Sequence, residues 1–183
     1  MGWARSIALF VGAIVVALIA VLATRETAGS SQQSPILGQV APEISGVDVL
    51  SKRQINLSDA QGRWTVVNFF ATWCTPCVAE HDDLVRFYES NVTGGDDALL
   101  AVVFDDAESD VENFFEKRGG GWPVVDNPKV AVDYGVTGVP ETYIVAPNGK
   151  VVASVRLGIK YEALVAKLDE LKTQFAAVNA TVP

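Results

Sequence analysis

With 183 residues the chain is long enough for one domain with a full core and too short for two. Acidic residues outnumber basic ones 22 to 14, giving a net charge of −8, and this balance excludes a phosphate-binding surface of clustered Lys and Arg. The 49% hydrophobic content mixes two populations, because residues 6–24 carry no charge and the remainder has an ordinary soluble composition.

That uncharged run (SIALFVGAIVVALIAVLAT) would span roughly 28 Å as a helix, close to the hydrocarbon thickness of a bilayer. It is longer than the apolar region of a signal peptide, and Val21-Leu22-Ala23 is a mediocre cleavage site. Residues 6–24 are therefore expected to be a transmembrane anchor, with a signal peptide as the competing reading. Either one exports the rest of the chain. Residues 1–5, with Arg5, stay on the cytoplasmic side, and residues 25–39 form a flexible tether that is polar and rich in small residues up to Pro35.

Residues 40–183 are expected to fold as one domain. Val47–Leu57 fits a short pair of strands around Ser51-Lys52-Arg53, with Ser58 and Asp59 as a local cap. Trp64–Phe70 (WTVVNFF) is a β-branched and aromatic run, as expected of a strand buried on both faces. Cys74–Ser90 reads as a helix, its stripe formed by Cys74, Val78, His81, Val85 and Tyr88. A second buried strand is expected at Ala98–Phe104, then an amphipathic helix at Asp106–Arg118 ended by three glycines. Trp122–Val125 is a short strand and Pro128–Tyr134 a short helix stopped by Gly135. Thr142–Val145 and Lys150–Arg156 form a hairpin around Asn148-Gly149, and Tyr161–Phe175 is a closing helix with a frayed tail after Ala176. Helices alternating with buried strands predict an α/β fold, a central sheet covered on both faces and made mixed by the late hairpin.

The two cysteines, Cys74 and Cys77, sit three positions apart in a chain bound for a compartment where disulfides persist. So short a loop stabilises little, which points to redox work. Cys74 follows a buried strand and opens a helix, where free N–H groups and the helix dipole favour a thiolate. Pro76 suits the first turn because it has no N–H to leave unpaired. Cys77 lies one turn on, deeper and expected to be the less exposed sulfur, placed to resolve a mixed disulfide. A zinc site needs four ligands and only His81 could join the pair, so no metal is expected. His81 itself lies about 10 Å along the helix from Cys74 and reads as structural.

VVNFFATWCTPC from Val66 to Cys77, with GVTGVPETYIVAPNGKVV from Gly135 to Val152, resembles the thioredoxin superfamily over about Val40–Phe175. More narrowly it is similar to the anchored extracytoplasmic branch, the TlpA, ResA and CcmG/DsbE proteins that supply reductant for cytochrome c maturation. Cys77–His81 and Pro140-Glu141-Thr142 look most like the CcmG/DsbE members. The resemblance implies a thioredoxin fold, with the segment between Ala107 and Val125 as this branch's helix–strand insert before a cis-proline loop. It implies a cis bond at Val139–Pro140 and partner-facing roles for Trp73, Thr75, Pro76, Val139 and Pro140. It implies Cys74 and Cys77 as the catalytic pair in a protein-disulfide reductase that uses no cofactor. Ordinary thioredoxins carry a proton-accepting aspartate where this chain has Asn68, so Glu80 and Glu141 are the acids expected near the sulfurs to replace it. The implied partners are exported cysteine-containing proteins (apocytochrome c or a heme-delivery partner) and a membrane electron donor. The catalytic domain is expected on the extracytoplasmic side of the cell membrane.

Two other functions stay open. A disulfide-forming oxidant would normally carry a large helical insertion and a histidine beside the second cysteine, where this chain has Pro76. A copper-delivery protein of the Sco type would call for C-x-x-x-C and a distant histidine. A peroxiredoxin is disfavoured for want of its Thr-x-x-Cys site.

Overall fold

A computed structural model of the chain describes residues 34–180 together with Trp3. The expected anchor at 6–24 lies outside the described residues. Among the described residues no helix is long and apolar enough to cross a membrane.

The strands are β1 (Ser45–Val47), β2 (Gln54–Asn56), β3 (Trp64–Phe70), β4 (Asp97–Val103), β5 (Val124–Val125), β6 (Glu141–Val145) and β7 (Val151–Arg156). The helices are α1 (Thr75–Phe87), α2 (Glu108–Arg118), α3 (Pro128–Tyr134) and α4 (Tyr161–Ala180). β1 and β2 form a small antiparallel pair, and the other five strands form one sheet in the order β5-β4-β3-β6-β7. β3 pairs parallel with β4 and antiparallel with β6, so the sheet is mixed as the late hairpin predicts.

Strand alternation divides the core in two. Trp64, Val66 and Phe70 of β3 join Leu84 and Phe87 of α1, Val111 and Phe115 of α2, and Leu164, Leu168 and Leu171 of α4. Val67 and Phe69 turn to the other face, against Val130, Ala131 and Tyr134 of α3. The sheet is thus covered on both faces, and β3 is buried along its whole length. This all-round burial explains the continuous apolar run in its sequence.

Three boundaries depart from expectation. The first helix ends at Phe87 and continues as one wider turn, Tyr88–Val92. The closing helix runs to Ala180 rather than fraying after Ala176. Phe175 packs edge-on to Trp64 at 5.5 Å, and Ala176-Ala177-Val178-Asn179-Ala180 contains no helix breaker. The segment before Val40 is also tied down: Gly38 N–H donates to the Val151 carbonyl (2.7 Å), and Val151 N–H to that of Gln39 (2.9 Å). The open edge of β7 supplies these partners.

Candidate active site

β3 delivers the chain to the C-terminal end of the sheet, where Ala71–Trp73 turns it into α1. Cys74 is the N-cap residue of α1, with extended backbone (φ −83°, ψ 106°), and Pro76 falls in the first turn. Cys74 and Cys77 are disulfide-bonded, their Cα atoms 5.2 Å apart. The Cys77 N–H donates to Cys74 Sγ at 3.2 Å, one of the helix-terminal donors available to a thiolate there. Cys74 Sγ also lies 3.5 Å from the Val139 carbonyl oxygen, and the Val139–Pro140 peptide bond is cis.

As whole residues the two cysteines are nearly equally buried, Cys74 4% exposed and Cys77 3%. Both cysteines belong to the buried cluster beneath α1, with Val139 packed against it. What distinguishes Cys74 is its place at the helix terminus and its accepted N–H. Thr75 and Pro76 are exposed beside it, and Trp73 is 59% exposed with its indole N–H donating to the Asp105 carbonyl at 2.9 Å.

The two acids go to different faces. Glu80, on α1, is 3% exposed, and each of its oxygens accepts one hydrogen bond. Asn68 Nδ2 donates to Oε1 at 2.9 Å and the Ile159 N–H to Oε2 at 2.9 Å. Asn68 Nδ2 also lies 3.0 Å from Thr142 Oγ1, so β3, β6, α1 and the turn after β7 meet at one buried carboxyl. Gly158, at φ 89°, closes this corner: a Cβ there would stand 3.3 Å from Glu80 Oε2 and 3.8 Å from Pro140 Cγ. Gly158 thus comes close to both Glu80 and Pro140. Glu141 is as deeply buried, but its neighbour Thr142 points to the α1 side and strand alternation turns Glu141 the other way. Its Oε1 accepts from Tyr143 Oη at 2.8 Å and Arg156 Nε at 3.0 Å, apart from the Glu80 cluster. His81 packs edge-on to Phe114 at 4.6 Å and lies 2.9 Å from the Gly119 carbonyl through Nε2. Burial lowers its pKa, and these contacts join α1 to the loop after α2.

Gly158, Ile159, Asp105 and Asp106 belong to the site's surroundings and are not singled out by the sequence, which marks Thr142 only as part of the Pro140-Glu141-Thr142 motif. Gly158, directly after the last strand, carries the one visible signal, since such a position often marks a close backbone approach. Nothing in the sequence marks the Ile159 amide.

Burial pushes the Glu80 carboxyl above the usual carboxylate range, against the pull of its two donors. The folded protein then holds this proton more tightly than the unfolded chain does. Stability should fall as pH rises from the ordinary value of 4.5 to the raised one, then level off. Glu80→Gln removes that cost and still fits, because a flipped Asn68 amide accepts from the new Nε2 while Ile159 donates to Oε1. The variant's unfolding free energy, measured by denaturant titration, should gain on the parent's as pH rises, by about 1.4 kcal/mol for each pH unit inside that window. A gap between the two that stays constant from about pH 4 to pH 8 would refute this account of Glu80.

Comparison with known proteins agrees with this geometry. Residues 37–154 match the AhpC/TSA family. The thiol-disulfide oxidoreductase ResA of Bacillus subtilis is 35% identical over 120 residues, covering 64% of this chain and 66% of that one. The thiol:disulfide interchange protein HelX of Rhodobacter capsulatus is 24% identical over 146 residues, covering 78% of this chain and 80% of that one. Among solved structures, the thioredoxin domain of a thiol-disulfide oxidoreductase from Bacteroides vulgatus superposes with a TM-score of 0.65 at 26% identity, covering 74% of this chain and 96% of that one. The chain belongs to the AhpC/TSA family, as a thioredoxin-fold thiol–disulfide oxidoreductase.

Proposed function

We propose that the protein is a membrane-anchored, extracytoplasmic reductase of cysteine pairs in exported proteins, acting in cytochrome c maturation. The observation that carries this reading is the Cys74–Cys77 pair at the start of α1, with Cys74 Sγ facing the Val139 carbonyl. The uncharged run at 6–24 supports the anchor, and the resemblance to the cytochrome c branch supports the partner class.

In the reduced enzyme the Cys74 thiolate attacks one sulfur of a partner disulfide. That S–S bond breaks, a mixed disulfide forms, and the partner's other sulfur leaves as a thiolate that takes up a proton. Cys77, deprotonated, then attacks Cys74 Sγ, which restores the Cys74–Cys77 bond and releases the partner's second sulfur. Two electrons have passed to the partner. Glu80 exchanges the Cys77 proton, a role supported by its position one turn further along α1. The Val139 backbone pairs with the incoming chain as a short added strand, while Trp73, Thr75 and Pro76 form the exposed surface it meets. Glu141 accepts hydrogen bonds from Tyr143 and Arg156.

One preparation tests function and location together. Membranes from cells making the full-length chain, washed with carbonate and reduced, should reduce a peptide whose disulfide closes a Cys-x-x-Cys-His sequence, the c-type heme attachment motif. Activity recovered only in the soluble fraction would overturn the anchor. An intact peptide disulfide in every fraction would overturn the partner class.

A further inference from the structure

The loop between β4 and α2 grips the two residues that lead into Cys74. Asp105 has a left-handed backbone (φ 48°), a conformation that Asp tolerates better than most residues, and its carbonyl receives the Trp73 indole N–H at 2.9 Å. Asp106 Oδ2 accepts both hydrogen bonds that Thr72 can donate, from N–H at 2.6 Å and from Oγ1–H at 2.7 Å. Its other oxygen, Oδ1, accepts the Ala107 N–H at 2.8 Å, at the entrance to α2. One carboxyl thus fixes the start of α2 and the approach to the redox pair at once.

We propose that Asp106 is a positioning residue for capture of polypeptide substrates: by fixing Thr72 it seats the exposed Trp73 indole beside Cys74 as a preformed apolar shelf. This rests on the reading of Cys74 as the attacking sulfur and Trp73 as partner-facing. A tryptophan that is 59% exposed has little packing to select one rotamer. What holds it here is a backbone anchored at Thr72 and one indole hydrogen bond, both supplied by the same two-residue loop. Immobilising the shelf beforehand spares a polypeptide the ordering cost on docking. A small disulfide, which needs only the sulfur, gains nothing from it.

The test uses the full-length chain with two substrates, a disulfide-bonded polypeptide such as insulin and the small disulfide of oxidised glutathione. Asp106→Ala should lower kcat/KM for insulin about tenfold, chiefly through KM, and change the glutathione reaction by no more than about twofold. Asp106→Asn, which keeps an oxygen facing Thr72, should recover most of the loss. The Trp73 indole N–H resonance, identified by its absence in Trp73→Phe, should move and exchange faster in Asp106→Ala. If Asp106→Ala does not fold, Thr72→Val removes only the hydroxyl donor and should cost about threefold on insulin alone. An unchanged ratio between the two substrates, whether both rates hold or both fall together with folded protein, overturns the proposal. Persistence of the glutathione reaction in Cys74→Ser would instead overturn the reading on which it rests.

Discussion

Cys74→Ser protein is expected to reduce no disulfide at all, whereas Cys77→Ser protein should accumulate as a covalent adduct with its partner. A serine hydroxyl is not ionised at neutral pH and cannot replace the thiolate that opens the partner disulfide, so the first step is lost outright. In Cys77→Ser the first step survives, but no second sulfur is available to expel the partner. The mixed disulfide at Cys74 then persists until an outside thiol releases it. Near-equal burial of the two cysteines makes this experiment decisive, because exposure does not say which sulfur is attacked or attacks. The assignment depends on the N-cap position of Cys74 and on the Cys77 N–H directed at its sulfur. Non-reducing electrophoresis of each variant with a disulfide-bonded partner reads the outcome directly. Adducts of equal yield from both variants, or an adduct from Cys74→Ser alone, would reverse the roles.

The redox pair and its strand–helix setting were legible because their signals are local. Trp64–Phe70 and Pro128–Tyr134 occupy the spans that their composition and breakers mark, and Cys74 stands at the helix start that its place after a buried strand implies. The surroundings were not legible, because they are assembled from afar. Glu80 takes one hydrogen bond from a backbone amide 79 positions away, and Thr72 meets Asp106 across 34 positions. A backbone N–H belongs to every residue but proline, so no side-chain pattern singles out Ile159. Glu141 is a different case. Its neighbour Thr142 faces Asn68, and period-two alternation in a strand then turns Glu141 to the opposite side of the sheet. Tyr143, buried with the α3 residues, donates its hydroxyl to Glu141, and burial raises the Tyr143 pKa to about 12.

The reduction potential of the Cys74–Cys77 pair should be more negative than about −180 mV, the level of protein disulfide isomerase, and near the thioredoxin value of about −270 mV. A disulfide is a strong oxidant when its reduced form is favoured, and the reduced form is favoured when the attacking thiolate is well stabilised. Here the stabilising elements are the α1 terminus and the Cys77 N–H at 3.2 Å. Three features oppose them. Cys74 is almost wholly removed from water, the Val139 carbonyl oxygen lies 3.5 Å from its sulfur, and the acid Glu80 lies within the helix that Cys74 caps. Position 76 holds a proline where oxidants of this fold often place a histidine, so no side-chain cation between the cysteines supports the thiolate. The distance from the strongest oxidant, at about −120 mV, is roughly 150 mV, or about 7 kcal/mol for a two-electron couple. A difference of that size separates reductant from oxidant without ambiguity. Equilibration of the purified protein against a graded series of dithiothreitol or glutathione, read by thiol alkylation, gives the value. A midpoint above about −180 mV would make the protein a disulfide-forming oxidant of exported proteins.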